Sequence, residues 1–143
     1  MRCRSLTIAV LLLFSTPSVW ADALLTESAL DAAEKKWRSA AQRDYSYTFS
    51  WSEFISPCPG FKMDVIVNNR SPVRAKDCQK YRRTFSTVPS LFRYLRGALR
   101  GRSYEVTAEF HPVMGYPLRG HVAWSDMDDD YFSFEVSDFR SGH

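Results

Sequence analysis

Cysteine is scarce: the chain has three in 143 residues, and Cys3 stands ahead of the first apolar run, where it cannot carry a lipid after that run is removed. Beyond residues 6–14 no apolar stretch approaches the roughly 20 residues that a helical bilayer span requires, so the remainder has no transmembrane segment. No serine or cysteine occupies a nucleophile motif of the hydrolase type. Internal repeats and low-complexity linkers are absent, which leaves a chain that fits one domain with a single modest core. No calcium loop is complete either. Asp126, Asp128 and Asp130 have the alternate spacing that opens one, but Tyr131 takes the sixth position, where a glycine is needed, and Ser137 takes the twelfth, where a bidentate Glu is needed.

The N-terminus is informative. Arg2 and Arg4 precede the apolar run, and Val19-Trp20-Ala21 puts small residues at the two positions that a signal peptidase inspects. Residues 1–21 therefore read as a secretory signal and 22–143 as the exported domain, periplasmic or secreted. With Arg2 and Arg4 gone, the formal charge of +3 falls to +1. That near-neutral total hides an asymmetry. Residues 62–102 hold eleven Lys and Arg against two Asp, whereas 103–143 hold eight acidic side chains against two Arg. Cys58 and Cys78 remain, and in an oxidising compartment such a pair is expected to form one disulfide. A reactive thiol or metal ligand is the alternative.

Thr26 or Ser28 can cap a first helix over about 27–43, with Leu30, Ala33, Trp37 and Ala40 or Ala41 on its apolar face. At Asp44 the period drops to two. Tyr45, Tyr47, Phe49, Trp51 and Ile55 alternate with Ser46, Thr48, Ser50 and Ser52, as on a strand with one dry face. A turn at Pro57-Cys58-Pro59-Gly60 leads to a second strand bearing Met63, Val65 and Val67. Asn68-Asn69 suits a tight hairpin, and 72–78 follows as a short basic edge strand. This meander brings Cys58 and Cys78 to the same end of the sheet, where closing their loop is worth about 3 kcal/mol.

Thr87 is expected to cap a second helix, with Pro89 in its first turn and Gly101 at its end. Val88, Leu91, Phe92, Leu95 and Leu99 form its apolar stripe, opposite Arg93, Arg96 and Arg100. Tyr104, Val106, Ala108 and Phe110, then Val122 and Trp124, then Phe132, Phe134 and Val136 mark three further strands. The fold class is α+β: an antiparallel sheet of about five to six strands with two helices packed on one face.

The Gly115-Tyr116-Pro117 turn, the acidic loop at Asp128-Asp129-Asp130, the aromatic strand and the closing Ser137-Asp138-Phe139 carry a resemblance. Together with Trp37, Tyr45 to Tyr47 and the Thr87-Val88 start of a Leu91-Phe92 helix, they make the chain similar to a family of small secreted or lipid-anchored bacterial domains of unknown function. The likeness spans nearly all of the chain after residue 21. It implies fold and export but no activity, and the missing lipid-attachment cysteine departs from the anchored members.

Three places hold candidate chemistry. Glu109, His111, Arg119 and His121 flank the turn and are expected to gather on the outer face of a hairpin, suited to acid–base work or anion binding. A plain solvated sheet face is their other explanation. Arg93, Arg96 and Arg100 offer a basic face to an envelope protein or an anionic envelope component, unless the tract pairs with the acidic last third of the same chain. Export argues against nucleic acid. Asp126, Asp128 and Asp130 are at most a loose cation site, their alternative being a solvated hairpin tip. No cofactor motif is present. These features favour a non-enzymatic binding module of the envelope. The rival is a small hydrolase or metal-assisted enzyme using His111, His121, Glu109 and the 126–130 loop.

Overall fold

The computed structural model describes residues 23–53, 62–75, 81 and 84–142. The expected signal segment (residues 1–21), Cys58 and Cys78 lie outside these residues. Helix α1 spans Glu27–Ala40 and starts where the Thr26 hydroxyl accepts the Ala29 N–H at 3.2 Å. It buries Leu30, Ala33 and Trp37. It ends three residues short of the expected Arg43, because Ala41 turns left-handed at φ 51° and its N–H closes on the Arg38 carbonyl at 3.1 Å. Helix α2 spans Val88–Arg100 and begins with a reciprocal cap: Ser90 N–H donates to Thr87 Oγ1 and Thr87 N–H donates to Ser90 Oγ, both at 3.2 Å.

Six strands follow the order β3-β2-β1-β6-β5-β4, every neighbouring pair antiparallel. They are β1 (Tyr45–Glu53), β2 (Lys62–Asn68), β3 (Ser71–Ala75), β4 (Glu105–Phe110), β5 (Pro117–Ala123) and β6 (Tyr131–Ser141). Two meanders are thus joined at the centre by the first and last strands. The β2–β3 turn is Asn69-Arg70 rather than Asn68-Asn69, with both residues at positive φ (45° and 65°). A two-residue loop must twist that way to match the strands it joins. Asp44 ties the two meanders together. Its carboxylate accepts the Asn69 N–H and its carbonyl accepts the Gly142 N–H, each at 2.6 Å.

One face of this sheet and both helices share a single core. Tyr45, Tyr47, Phe49 and Trp51, then Met63, Val65 and Val67, then Phe132, Phe134 and Val136 are buried with Leu30, Trp37, Leu91, Phe92 and Leu95. The parity of β6 breaks at Asp138. There Ser46 pairs with Arg140 and Thr48 with Ser137, so two residues of β6 oppose Tyr47 alone. Asp138 absorbs this bulge at φ 51°, a conformation that Asp tolerates better than most residues. The bulge turns Phe139 to the helix side, where its ring lies 5.7 Å from Tyr45 and 4.3 Å from Tyr116.

The Gly115-Tyr116-Pro117 turn locks the second meander onto α1. Gly115 sits at φ 79°, and a Cβ there would lie 2.2 Å from the Ala33 carbonyl oxygen. Only glycine permits both the backbone angle and the approach. Tyr116 fills the space between Phe139, His111 and Trp37, and Lys36 Nζ donates to the Pro112 carbonyl at 2.9 Å.

Candidate functional site

The other face of the sheet is polar and carries a groove of about 370 Å³. Its floor is the sheet itself at Trp51, Ala108, Gly120 and Phe134, and its walls are outward side chains from β1, β6, β5 and β4. The pairing register arranges these walls in two transverse rows. Ser50, Glu135, Arg119 and Glu109 are successive cross-strand partners, and so are Ser52, Ser133, His121 and Thr107. Each row crosses three strand spacings, about 14 Å. Gly120 allows close packing beneath them: a Cβ there would meet the Phe134 ring at 2.5 Å.

In the first row Arg119 Nε and Glu109 Oε2 form an ion pair at 2.6 Å, and exposed Glu135 stands on the other side of Arg119. In the second row His121 Nδ1 and Ser133 Oγ share a hydrogen bond of 2.7 Å. The His121 ring stacks on Tyr131 at 5.7 Å, and the Tyr131 hydroxyl lies 3.3 Å from Ser52 Oγ. One guanidinium against two carboxylates suits neither a polyanion nor a simple cation. The hydroxyls and imidazole offer donors and acceptors to a polar ligand of mixed or no charge.

The structure brings Glu109, Arg119 and His121 into this groove but places His111 elsewhere. His111 Nδ1 accepts the N–H groups of Val113 and Met114 at 3.3 and 3.1 Å, and its ring stacks on Tyr116. It shapes the turn. Ser50, Ser52, Thr107, Ser133 and Glu135 are groove residues that the sequence reading did not single out. Polar parity against Phe132, Phe134 and Val136 marks Ser133 and Glu135 as outward, but nothing local announces that β6 lies beside β1.

The basic helix is partly engaged inside the molecule. Arg96 bridges to Asp31 at 2.8 Å and Glu34 at 2.7 Å, and Arg100 pairs with Glu27 at 2.9 Å. These partners are on α1, not in the acidic last third of the chain. Burial raises the Glu34 carboxyl, but hydrogen bonds from Arg38 and Arg96 outweigh it and hold the group below its ordinary value. The same bonds to Asp31 and Glu34 push the Arg96 guanidinium up. Arg93 is exposed and unpaired among the described residues. Asp126, Asp128 and Asp130 do not converge: among the described residues no three His, Cys, Asp or Glu side chains are arranged to hold a metal ion. No described helix is long and apolar enough to cross a membrane.

No curated protein and no solved structure matches the chain significantly. A family model does match, over residues 29–141, from the first turn of α1 to the end of β6. With that match covering well over half of the chain, the chain belongs to a family of unknown function (DUF6174).

Proposed function

We propose that the protein is an exported, non-enzymatic binding module whose ligand lies across the outer face of the sheet. The observation that carries this reading is the groove, where side chains from four strands converge around Arg119 and His121 on a face that neither helix covers. The basic start, apolar run and Val19-Trp20-Ala21 site support export, and a Cys58–Cys78 disulfide suits that compartment. The groove's mixed charge favours a neutral or zwitterionic envelope component, such as a saccharide or short peptide. The basic helix is the weaker surface, since Arg96 and Arg100 are already ion-paired. NMR titration of the protein with fractionated envelope saccharides and peptides tests this. Shifts should cluster at Ser52, Arg119, His121, Ser133 and Glu135 and be lost in Arg119→Ala. Shifts confined to α2, or unchanged by that substitution, overturn it.

A second reading has one observation in its favour, the 2.7 Å contact between Ser133 Oγ and His121 Nδ1. A histidine so placed can take the hydroxyl proton of a nucleophile, which makes a small acyl hydrolase the enzymatic alternative. Among the described residues, however, no carboxylate hydrogen-bonds His121. Turnover of a p-nitrophenyl ester that disappears in Ser133→Ala would favour this reading over simple binding.

A further inference from the structure

A second surface lies at the C-terminal end of α2, away from the groove. Trp124 and Tyr104 occupy facing positions one step beyond the Glu105–Ala123 pair of the β4–β5 ladder, and they are 45 % and 67 % exposed. Met127, in the loop that follows β5, is 61 % exposed. Single exposed apolar residues are ordinary, but an exposed aromatic pair across one ladder with an exposed methionine three residues further along the chain offers apolar area of the kind that marks contact surfaces. Beside them a notch of about 330 Å³ opens between Trp124 and the face of α2 that bears Arg93, Gly97 and Gly101. Gly97 is not required by packing, since a Cβ there would have no neighbour within 4 Å. A glycine inside a helix costs about 1 kcal/mol relative to alanine. Its effect is to leave the notch unfilled.

Charges of both signs border this patch. Arg93 and Arg102 line the notch, and Asp126, Asp128, Asp129 and Asp130 lie in the loop that leaves Trp124 and closes on it through Trp124 N–H to Asp130 carbonyl at 3.0 Å. Among the described residues none of these six groups enters an ion pair. An anionic lipid surface would meet four carboxylates as well as two guanidinium groups, and a polycation would meet the reverse conflict. A surface that carries unpaired groups of both signs next to apolar side chains can be complementary to itself, as the isologous contact of a two-fold dimer demands.

We infer that the chain forms a symmetric homodimer through this patch, with Arg93 and Arg102 of each copy facing the Asp126–Asp130 loop of the other. The aromatic pair and Met127 make the apolar centre, and the notch beside Gly97 receives the flexible Met127 side chain of the second copy.

Sedimentation velocity on the purified protein, from micromolar to near-millimolar concentration, tests this. The weight-average coefficient should climb from the monomer to the dimer value, and high salt should shift the midpoint several-fold upward. Arg93→Asp with Arg102→Asp, and separately Asp128→Arg with Asp129→Arg, should each give a monomer whose melting curve matches that of the wild type at dilutions where the wild type is itself monomeric. Mixing the two variants should restore a dimer, which rules out misfolding as the cause. The inference is overturned if the wild type stays monomeric throughout, if either reversal leaves dimerisation intact, or if the mixture fails to associate. Binding to anionic vesicles that depends on the two arginines, without dimerisation, would also overturn it.

Discussion

Replacing Gly115 by alanine should be the most damaging single-methyl change in the second meander. Two penalties combine. The residue sits at φ 79°, where an L side chain is disfavoured by roughly 1–2 kcal/mol. The new Cβ would also lie 2.2 Å from the Ala33 carbonyl oxygen and 2.8 Å from Lys36 Cβ. The first obstacle is helix backbone, which cannot rotate aside as a flexible side chain would. The turn must therefore lift from α1, loosening the Tyr116 ring from Phe139 and Trp37 and weakening the Lys36 to Pro112 hydrogen bond. Each aromatic contact is worth about 0.5–1.5 kcal/mol beyond area burial. Strain and partial loss of packing together come to about 3 kcal/mol, a large share of the 5–15 kcal/mol typical of a domain. Urea denaturation followed by tryptophan fluorescence reads the change, since Trp37 belongs to the affected cluster. Gly97→Ala is the matched control. With open space at its Cβ it should stabilise the monomer by up to about 1 kcal/mol. If Gly115→Ala costs less than about 1 kcal/mol, or if the two alanines behave alike, the account of this turn is wrong.

Arg70→Gly should raise the urea midpoint, gaining about 1 kcal/mol, because Arg70 holds φ 65° in the β2–β3 turn while its N–H bond to Arg43 survives the change. Tyr47→Phe should cost about 1–2 kcal/mol in the same assay, since the hydroxyl donates at 2.7 Å to the buried Phe85 carbonyl, which would be left without that donor. Burial first, and Tyr45 second, push the Tyr47 phenol well up. Its stability contribution is therefore present below the ordinary tyrosine value and lost as pH rises above about 10, so Tyr47→Phe should also flatten the alkaline limb of the pH–stability curve. Glu34 is the opposite case. Its folded-state value is lowered by Arg38 and Arg96 against the effect of burial, so its contribution is present above about pH 4.5 and lost as pH falls through the lowered value. Glu34→Gln should therefore lower the melting temperature at pH 7 yet blunt the acid limb.

Local periodicity made most of the elements legible. The switch at Asp44 from period 3.6 to period two, and the Thr87 cap with Pro89 behind it, correspond to the start of β1 and of α2. Hidden from sequence were the features that depend on chain ends meeting. Residues 45 and 141 are far apart along the chain yet paired in the sheet, and that pairing builds half of the groove from Ser50, Ser52, Ser133 and Glu135. Alternation alone would turn Phe139 outward with Ser137. The left-handed step at Asp138 reverses that parity, and no spacing rule announces a bulge in advance. Arg96 and Arg100 read as an open basic stripe because their partners on α1 are more than sixty residues away in the chain.

Three of the landmarks on which the family resemblance rests are neighbours in space. Trp37 comes from the first helix, Tyr116 from the Gly-Tyr-Pro turn and Phe139 from the closing Ser-Asp-Phe, and their ring centroids lie 4.3–6.4 Å apart. His111 stacks on the same cluster and caps the same turn. These residues fasten the second meander and the returning last strand to α1, so this part of the signature describes how the body is closed. The outward side chains of the groove lie on the opposite face of the sheet. Strand alternation therefore lets Ser50, Ser133, His121 or Arg119 change without disturbing Trp37, Tyr116 or Phe139. Substitutions in the lock should move stability and leave groove binding intact once folded, whereas substitutions in the rows should move binding and leave the melting temperature nearly unchanged.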